Sequence, residues 1–272
     1  MALAAYPLLD MVRMSLSDVQ IGNLLRDWPF VGSVNFESLA ANPDFWSAFG
    51  TTVGFAGAVL VLSLAGGLVA AFLIRGTSRT AQLAQALMVF VWAIPPVVNG
   101  TLWKFLFSSE GAINDVLRTL GVHDPILFLA DPTLALWSVA FVTSWVTVPF
   151  VAIVLKSGLL DVPVDVVEAA RIDGATPVQV TRYVTLPLLR PVLVVTTVLV
   201  AIYAFRSFDY IYVMTQGGPG TATTTLPYLG YRSSMLLFLF SQAAAIGVVA
   251  LVVIAVLASA YARTARGEAD AR

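Results

Sequence analysis

The run Glu168-Ala-Ala-Arg-Ile-Asp173-Gly174-Ala175-Thr176-Pro177 stands between two long apolar stretches and continues to Leu186-Pro187-Leu-Leu-Arg190-Pro191. Asp165 and Glu168 fall near the start of a short helix expected over Val164–Asp173, where the backbone dipole favours acids. Gly174 suits the left-handed position that ends a helix. Thr176 followed by Pro177 reads as an N-cap with proline in the first turn of a second helix. Pro187 and Pro191 are expected to stop that second helix before the next apolar stretch. The small Ala169, Ala170, Gly174 and Ala175 let another surface approach closely.

Reactive chemistry is nearly absent. A single histidine, His123, and no cysteine leave no set for nucleophilic or metal catalysis. A phosphate-cradling loop needs Gly-Lys-Ser/Thr. The only lysines follow Trp103 and Leu155, so the chain cannot hydrolyse ATP by itself. Arg206 and Asp209 are the charges inside an otherwise apolar stretch. Three residues apart on one helix, they would neutralise each other. They either face a solute path, as intramembrane charges usually do, or pair with each other at the outer interface. Asn99, just after Pro95-Pro96, is a polar group in a stretch broken by proline, which frees backbone groups beside a cavity.

These residues must be held by helices in lipid. The 272 residues are 58% hydrophobic and only 11% charged, so a polar surface around a soluble core cannot be built. Mean hydropathy is +0.86. A net charge of −1 gives no basic balance toward nucleic acid. Arginine in place of lysine, with much Ala, Val and Gly, fits a GC-rich bacterial genome. A spanning helix takes about 20 apolar residues. Stretches 45–74, 80–103, 132–155 and 233–262 carry no charge at all, and 191–214 carries only Arg206 and Asp209. Five complete spans are expected, in a polytopic all-α bundle.

Loop charges orient them. Arg75 and Arg79 follow the first span. Lys156, Arg171, Arg182 and Arg190 lie around the loop 159–190, and Arg263, Arg266 and Arg272 lie in the tail 263–272. That side is taken as cytoplasmic. Segment 18–44 and the loops 104–131 and 215–232 are poorer in basic residues and are taken as external. Residues 1–17 look like the outer end of a first spanning helix, since residues 1–9 are too few to cross. A signal peptide is the rival reading, against which stands the lack of a basic flank before the apolar run.

Glu168-Ala-Ala, three residues, Gly174, then the distal Leu186-Pro187 resembles the signature loop of binding-protein-dependent ABC importer permeases. Glu168, Ala169, Ala170, Asp173, Gly174, Ala175, Leu186 and Pro187 match that pattern, and Tyr183 replaces a usual phenylalanine. The stretch from Phe208-Asp209 through Gly217-Gly218-Pro219 to Thr223-Thr-Thr-Leu226 is similar to the carbohydrate-importer permeases of the larger maltose-permease kind. So are Phe240–Gly247, where Ser241 departs from a common glycine, and Tyr6-Pro7-Leu-Leu with Ser15-Leu16-Ser17.

The resemblance implies a type I importer permease fold in the bacterial cytoplasmic membrane. It implies a loop at 164–177 that couples to a dimer of ATPase subunits, a second homologous permease, and an external solute-binding protein. The substrate would be a sugar or polyol, with ATP used by the ATPase subunits and no cofactor on this chain. Asn99, Trp145, Arg206, Asp209 and Tyr212 are then the solute-path candidates. The tryptophans, Trp92, Trp103, Trp137 and Trp145, either stack on sugar rings or anchor at the membrane interface. The other reading is an ion-coupled secondary transporter, for which Asp209 is the only acid well inside a span.

Overall fold

The computed structural model describes the backbone of residues 2–269 and side chains of residues 6–259. Met1 and residues 270–272, including Arg272 of the expected tail, lie outside the described residues, as do the side chains of Arg263 and Arg266. The helices are α1 (Ala2–Ser15), α2 (Val34–Ala41), α3 (Pro43–Leu73), α4 (Arg79–Ala93), α5 (Pro96–Leu106), α6 (Ala112–Thr119), α7 (Ala135–Leu160), α8 (Val164–Ile172), α9 (Pro177–Val180), α10 (Leu186–Phe205), α11 (Asp209–Met214), α12 (Leu226–Tyr231) and α13 (Phe240–Ala269). Among the described residues there is no strand, only an isolated bridge between Ser17 and Phe30. The fold is all-α.

Among the described residues four helical runs are long and apolar enough to cross a membrane: Pro43–Leu73, Ala135–Leu160, Pro177–Met214 and Phe240–Ser259. The pair α4 and α5 makes a fifth if counted as one span, but it is bent by 98°. The span expected over 80–103, read as broken at its proline pair, is bent there. Ile94 is extended, with ψ 128°, because the ring of a following proline pushes a residue out of the helical region. Pro95 and Pro96 between them bring no N–H to continue the ladder.

Two further boundaries differ from expectation. Pro187 and Pro191 do not end a helix. From Pro177 the chain stays helical through α9, a π turn at Thr181–Thr185, and α10, with Pro191 inside it. The Leu186 N–H reaches back to the Thr181 carbonyl. This wider turn precedes Pro187, whose ring would otherwise meet the carbonyl four residues back. The break comes later, at Arg206–Phe208, and α11 starts anew at Asp209. At the far end, the stretch expected from Ser233 is interrupted. A π turn at Arg232–Leu236 closes α12, Phe238 takes φ +57°, and α13 begins only at Phe240.

The chain divides into two compact units. One comprises the chain up to Ala56 with Pro96–Val139 and Phe205–Val256. Its core packs Leu39, Phe45, Ala48, Phe205, Leu226, Leu229, Ala245 and Ile246. Two buried hydroxyls pin it: Thr52 Oγ1 accepts the Leu226 N–H at 2.8 Å, and Ser241 Oγ accepts the Val19 N–H at 2.7 Å. Ser241, the departure from a common glycine, thus holds the segment after α1 to the start of α13.

The other unit comprises Gly57–Pro95, Ala140–Ala204 and the chain from Leu257. Its core packs Ala71, Val151, Leu155, Leu189 and Val200. Small residues let the helices cross closely, as in membranes generally. A Cβ on Gly67 would sit 2.3 Å from Val151 Cγ1, and one on Gly158 would sit 2.7 Å from Leu189 Cδ1.

Candidate functional site

The loop from α8 to α10 is a stiff, exposed structure. At its tip, Gly174 has φ +85°. The Ala175 N–H bonds the Ala170 carbonyl and the Gly174 N–H bonds the Arg171 carbonyl, both at 3.0 Å. This double closure is the Schellman motif, which satisfies carbonyls a helix end leaves open. Directly after it, Thr176 caps α9. Its hydroxyl accepts the Gln179 N–H, while the Gln179 side chain accepts the Thr176 N–H at 2.8 Å. Reciprocal capping of this kind leaves the turn little freedom.

Glu168, Ala169, Asp173 and Gly174 are exposed on this structure, whereas Ala170 and Ala175 are half-buried within the turn. Leu186 is half-buried and Pro187 exposed. They begin α10, beyond α9 and the π turn. Sequence reasoning passed over Ile172, an apolar side chain 85% exposed between Arg171 and Asp173. Its apolar type at the end of a short loop helix was the available signal.

The solute-path candidates do not form one cluster. Asn99 is 2% exposed in α5, and its Nδ2 has no hydrogen-bond partner among the described residues. Beside it Gly100 lies against Val213 of α11, where a Cβ would be 3.1 Å from Val213 Cγ1. Arg206 and Asp209 are both exposed and form no ion pair with each other among the described residues. The helix on which they were to pair is broken between them, which corrects that expectation. Asp209 instead occupies the first turn of α11, where an acid is favoured.

Tyr212 stacks on Phe208 at 5.2 Å and meets Tyr231 edge-on at 5.3 Å, and Tyr228 and Tyr231 also meet. A hydrogen bond with Tyr212, and then burial, pushes the Tyr231 hydroxyl above its ordinary range. Burial does the same for Tyr228. The turn before α12 holds this cluster in place. Thr215 and Thr223 share a 2.7 Å hydroxyl contact, Thr223 donates to the Gly218 carbonyl, and Thr224 donates to the Gly217 carbonyl. A Cβ on Gly217 would lie 2.4 Å from the Tyr228 ring, which explains glycine at this position by packing.

Trp145 belongs to the other unit, and so does a cavity of about 250 Å³ whose lining includes Trp92, Val146, Thr147, Phe150 and Tyr203. Trp92 and Phe150 stack at 5.9 Å. Phe150 and Tyr203 were not singled out by sequence, since one aromatic among many in an apolar stretch carries no signal. Among the described residues no group of three or more His, Asp or Glu could hold a metal.

Comparison with known proteins agrees with this geometry. Residues 63–267 match the family described as binding-protein-dependent transport system inner membrane component. The trehalose/maltose transport system permease MalF of Thermococcus litoralis is 36% identical over 205 residues, covering 75% of this chain and 69% of that protein. The diacetylchitobiose uptake system permease DasB of Streptomyces coelicolor is 31% identical over 270 residues, covering 96% and 81%. In structure, a crystallised bacterial ABC transporter involved in import of the acidic polysaccharide alginate aligns with TM-score 0.80 and 22% identity, covering 95% of this chain and 89% of that one. That likeness speaks to the fold. An all-α chain with apolar spans and this loop, matched by the family over most of its length, belongs to the inner membrane components of binding-protein-dependent transport systems.

Proposed function

We propose that the chain is one of two homologous permeases enclosing the path of an ATP-driven sugar importer, and that residues 164–177 transmit the motion of an ATPase dimer. The observation that carries this is the loop itself, with its twice-closed tip, Gly174 at φ +85° and Ile172 85% exposed. An exposed apolar side chain on a rigid tip suits a partner's groove. A rigid lever is also needed if closure of the ATPases is to tilt α7 and α10.

ATP would be bound and spent on those subunits, and an external solute-binding protein would bring the cargo. The trehalose/maltose, diacetylchitobiose and sulfoquinovosyl glycerol systems named for relatives all concern sugars, and this supports a sugar-like substrate. Asn99, the Tyr212 cluster and the Trp92–Phe150 cavity are its candidate contacts. The ion-coupled alternative draws no support from Asp209, which is exposed at a helix start.

Gly174→Val tests the coupling reading. Among the described residues no atom beyond its chain neighbours lies within 4 Å of a Cβ at this position, so the change does not disturb a core. It costs about 1–2 kcal/mol of backbone strain and adds bulk to the outer surface. The expected outcome is loss of uptake and loss of ATPase co-purification, with the permease pair still assembled. Glu168→Ala should weaken the same association less. Normal transport and normal ATPase binding in Gly174→Val would falsify the coupling role of 164–177.

A further inference from the structure

Behind α8 lies a cleft of about 290 Å³ whose lining includes Arg75, Val164, Val167, Arg171, Thr181 and Thr185. Val164, Val167 and Arg171 recur at helical spacing on one face of α8. That face is rotated roughly a third of a turn from Asp165, Glu168, Ala169 and Ile172, so the cleft is separate from the surface assigned to the ATPases. Its lining offers two guanidinium groups and two hydroxyls and contains no acid. Neither arginine forms an ion pair among the described residues.

We infer that this cleft binds the phosphoryl headgroup of an anionic phospholipid of the cytoplasmic leaflet; the placement rests on the reading that α8 faces the ATPases. Arg75 lies two residues past the apolar end of α3, where Leu73 is 76% exposed, and so stands where the span leaves the hydrocarbon. Leu160, Val178 and Tyr183 expose apolar surface on the same loop region, which acyl chains would cover and a soluble anion would not. The Arg182 guanidinium lies 5.7 Å over the Tyr183 ring, an arginine–aromatic pair suited to the membrane interface. Basic groups at that depth attract anionic lipid, and paired guanidiniums match a phosphate. A headgroup held by both arginines ties the last turn of α8 to the end of α3. Lipid composition would then set how firmly the lever is braced.

The test uses the complete transporter in nanodiscs of mixed phosphatidylglycerol and phosphatidylcholine, with retained lipid measured by native mass spectrometry and ATPase activity measured in parallel. Wild type should retain phosphatidylglycerol preferentially. Arg75→Gln and Arg171→Gln should each reduce that preference about fivefold, and the lysine variants should keep most of it. An unchanged preference in the double glutamine variant, with its thermal unfolding intact, overturns the site. Displacement of the bound lipid by millimolar inorganic phosphate, with equal stabilisation in pure phosphatidylcholine, overturns the lipid source in favour of a soluble anion. Gly174→Val keeps both arginines and should retain the lipid preference, so a failure of the coupling reading shows separately in ATPase binding.

Discussion

Asn99 is the residue whose environment is hardest to explain by folding alone. Its side chain is almost fully buried in α5, yet its Nδ2 meets no acceptor among the described residues. An orphaned buried donor costs about 1–3 kcal/mol. Replacement by leucine, close in size and apolar, removes that cost. Asn99→Leu is therefore expected to leave the thermal unfolding of the purified complex unchanged or raised, while uptake falls severalfold because the solute loses a donor. Reduced stability with undiminished uptake per assembled complex would make Asn99 a packing residue. Ser241 shows the opposite case. Its hydroxyl has a buried partner in the Val19 N–H, and its role is to hold two segments together.

At the scale of elements, the starts and breaks of helices follow from a few side chains and can be tested one at a time. Asp131 Oδ1 accepts the N–H groups of Thr133 and Leu134, and the Ala135 N–H reaches the Asp131 carbonyl, so this residue organises the entry to α7. Donation from the Thr133 hydroxyl, then from the two N–H groups, holds the carboxyl below its ordinary 3.8. The folded value is depressed, so the stabilisation is complete above the unfolded value and fades as pH falls through the folded one. Asp131→Ala should lower the unfolding temperature near neutral pH, and the gap to wild type should narrow below the ordinary value of 3.8. A gap independent of pH across that window would exclude the carboxylate as its origin. The bend between α4 and α5, the π turn before Pro187 and the close crossing at Gly67 similarly trace to proline or glycine at single positions.

For the whole molecule, the prediction concerns dependence on partners. The sequence has no phosphate-cradling loop, and the described residues hold no acid cluster within the spans. The chain reconstituted alone in liposomes should show neither ATPase activity nor solute uptake under a proton or sodium gradient. Both should emerge only with a second permease, the ATPase subunits and a solute-binding protein. Uptake by the single chain under an ion gradient, with no ATP present, would replace the proposed function with a secondary transporter.

The sequence by itself determined the class of this protein, because membrane insertion depends on the length and charge of apolar stretches, which are properties of consecutive residues. It also determined the helix–turn–helix at 164–177, since Gly174, Thr176 and Pro177 each act on the backbone within four residues of themselves. The break at Pro95-Pro96 was legible locally as well, but only the tertiary structure decided the breaks elsewhere. Proline at 187 and 191 reads as a stop locally, but a π turn upstream relieves its clash and packing of Leu189 beside Val151 and Leu155 keeps the helix going. Arg206 and Asp209 read as a pair on a continuous helix, yet the chain opens between them. The burial of Asn99, the aromatic cluster around Tyr212 and the cleft behind α8 likewise rest on contacts between segments distant in the chain, which no spacing along the chain encodes.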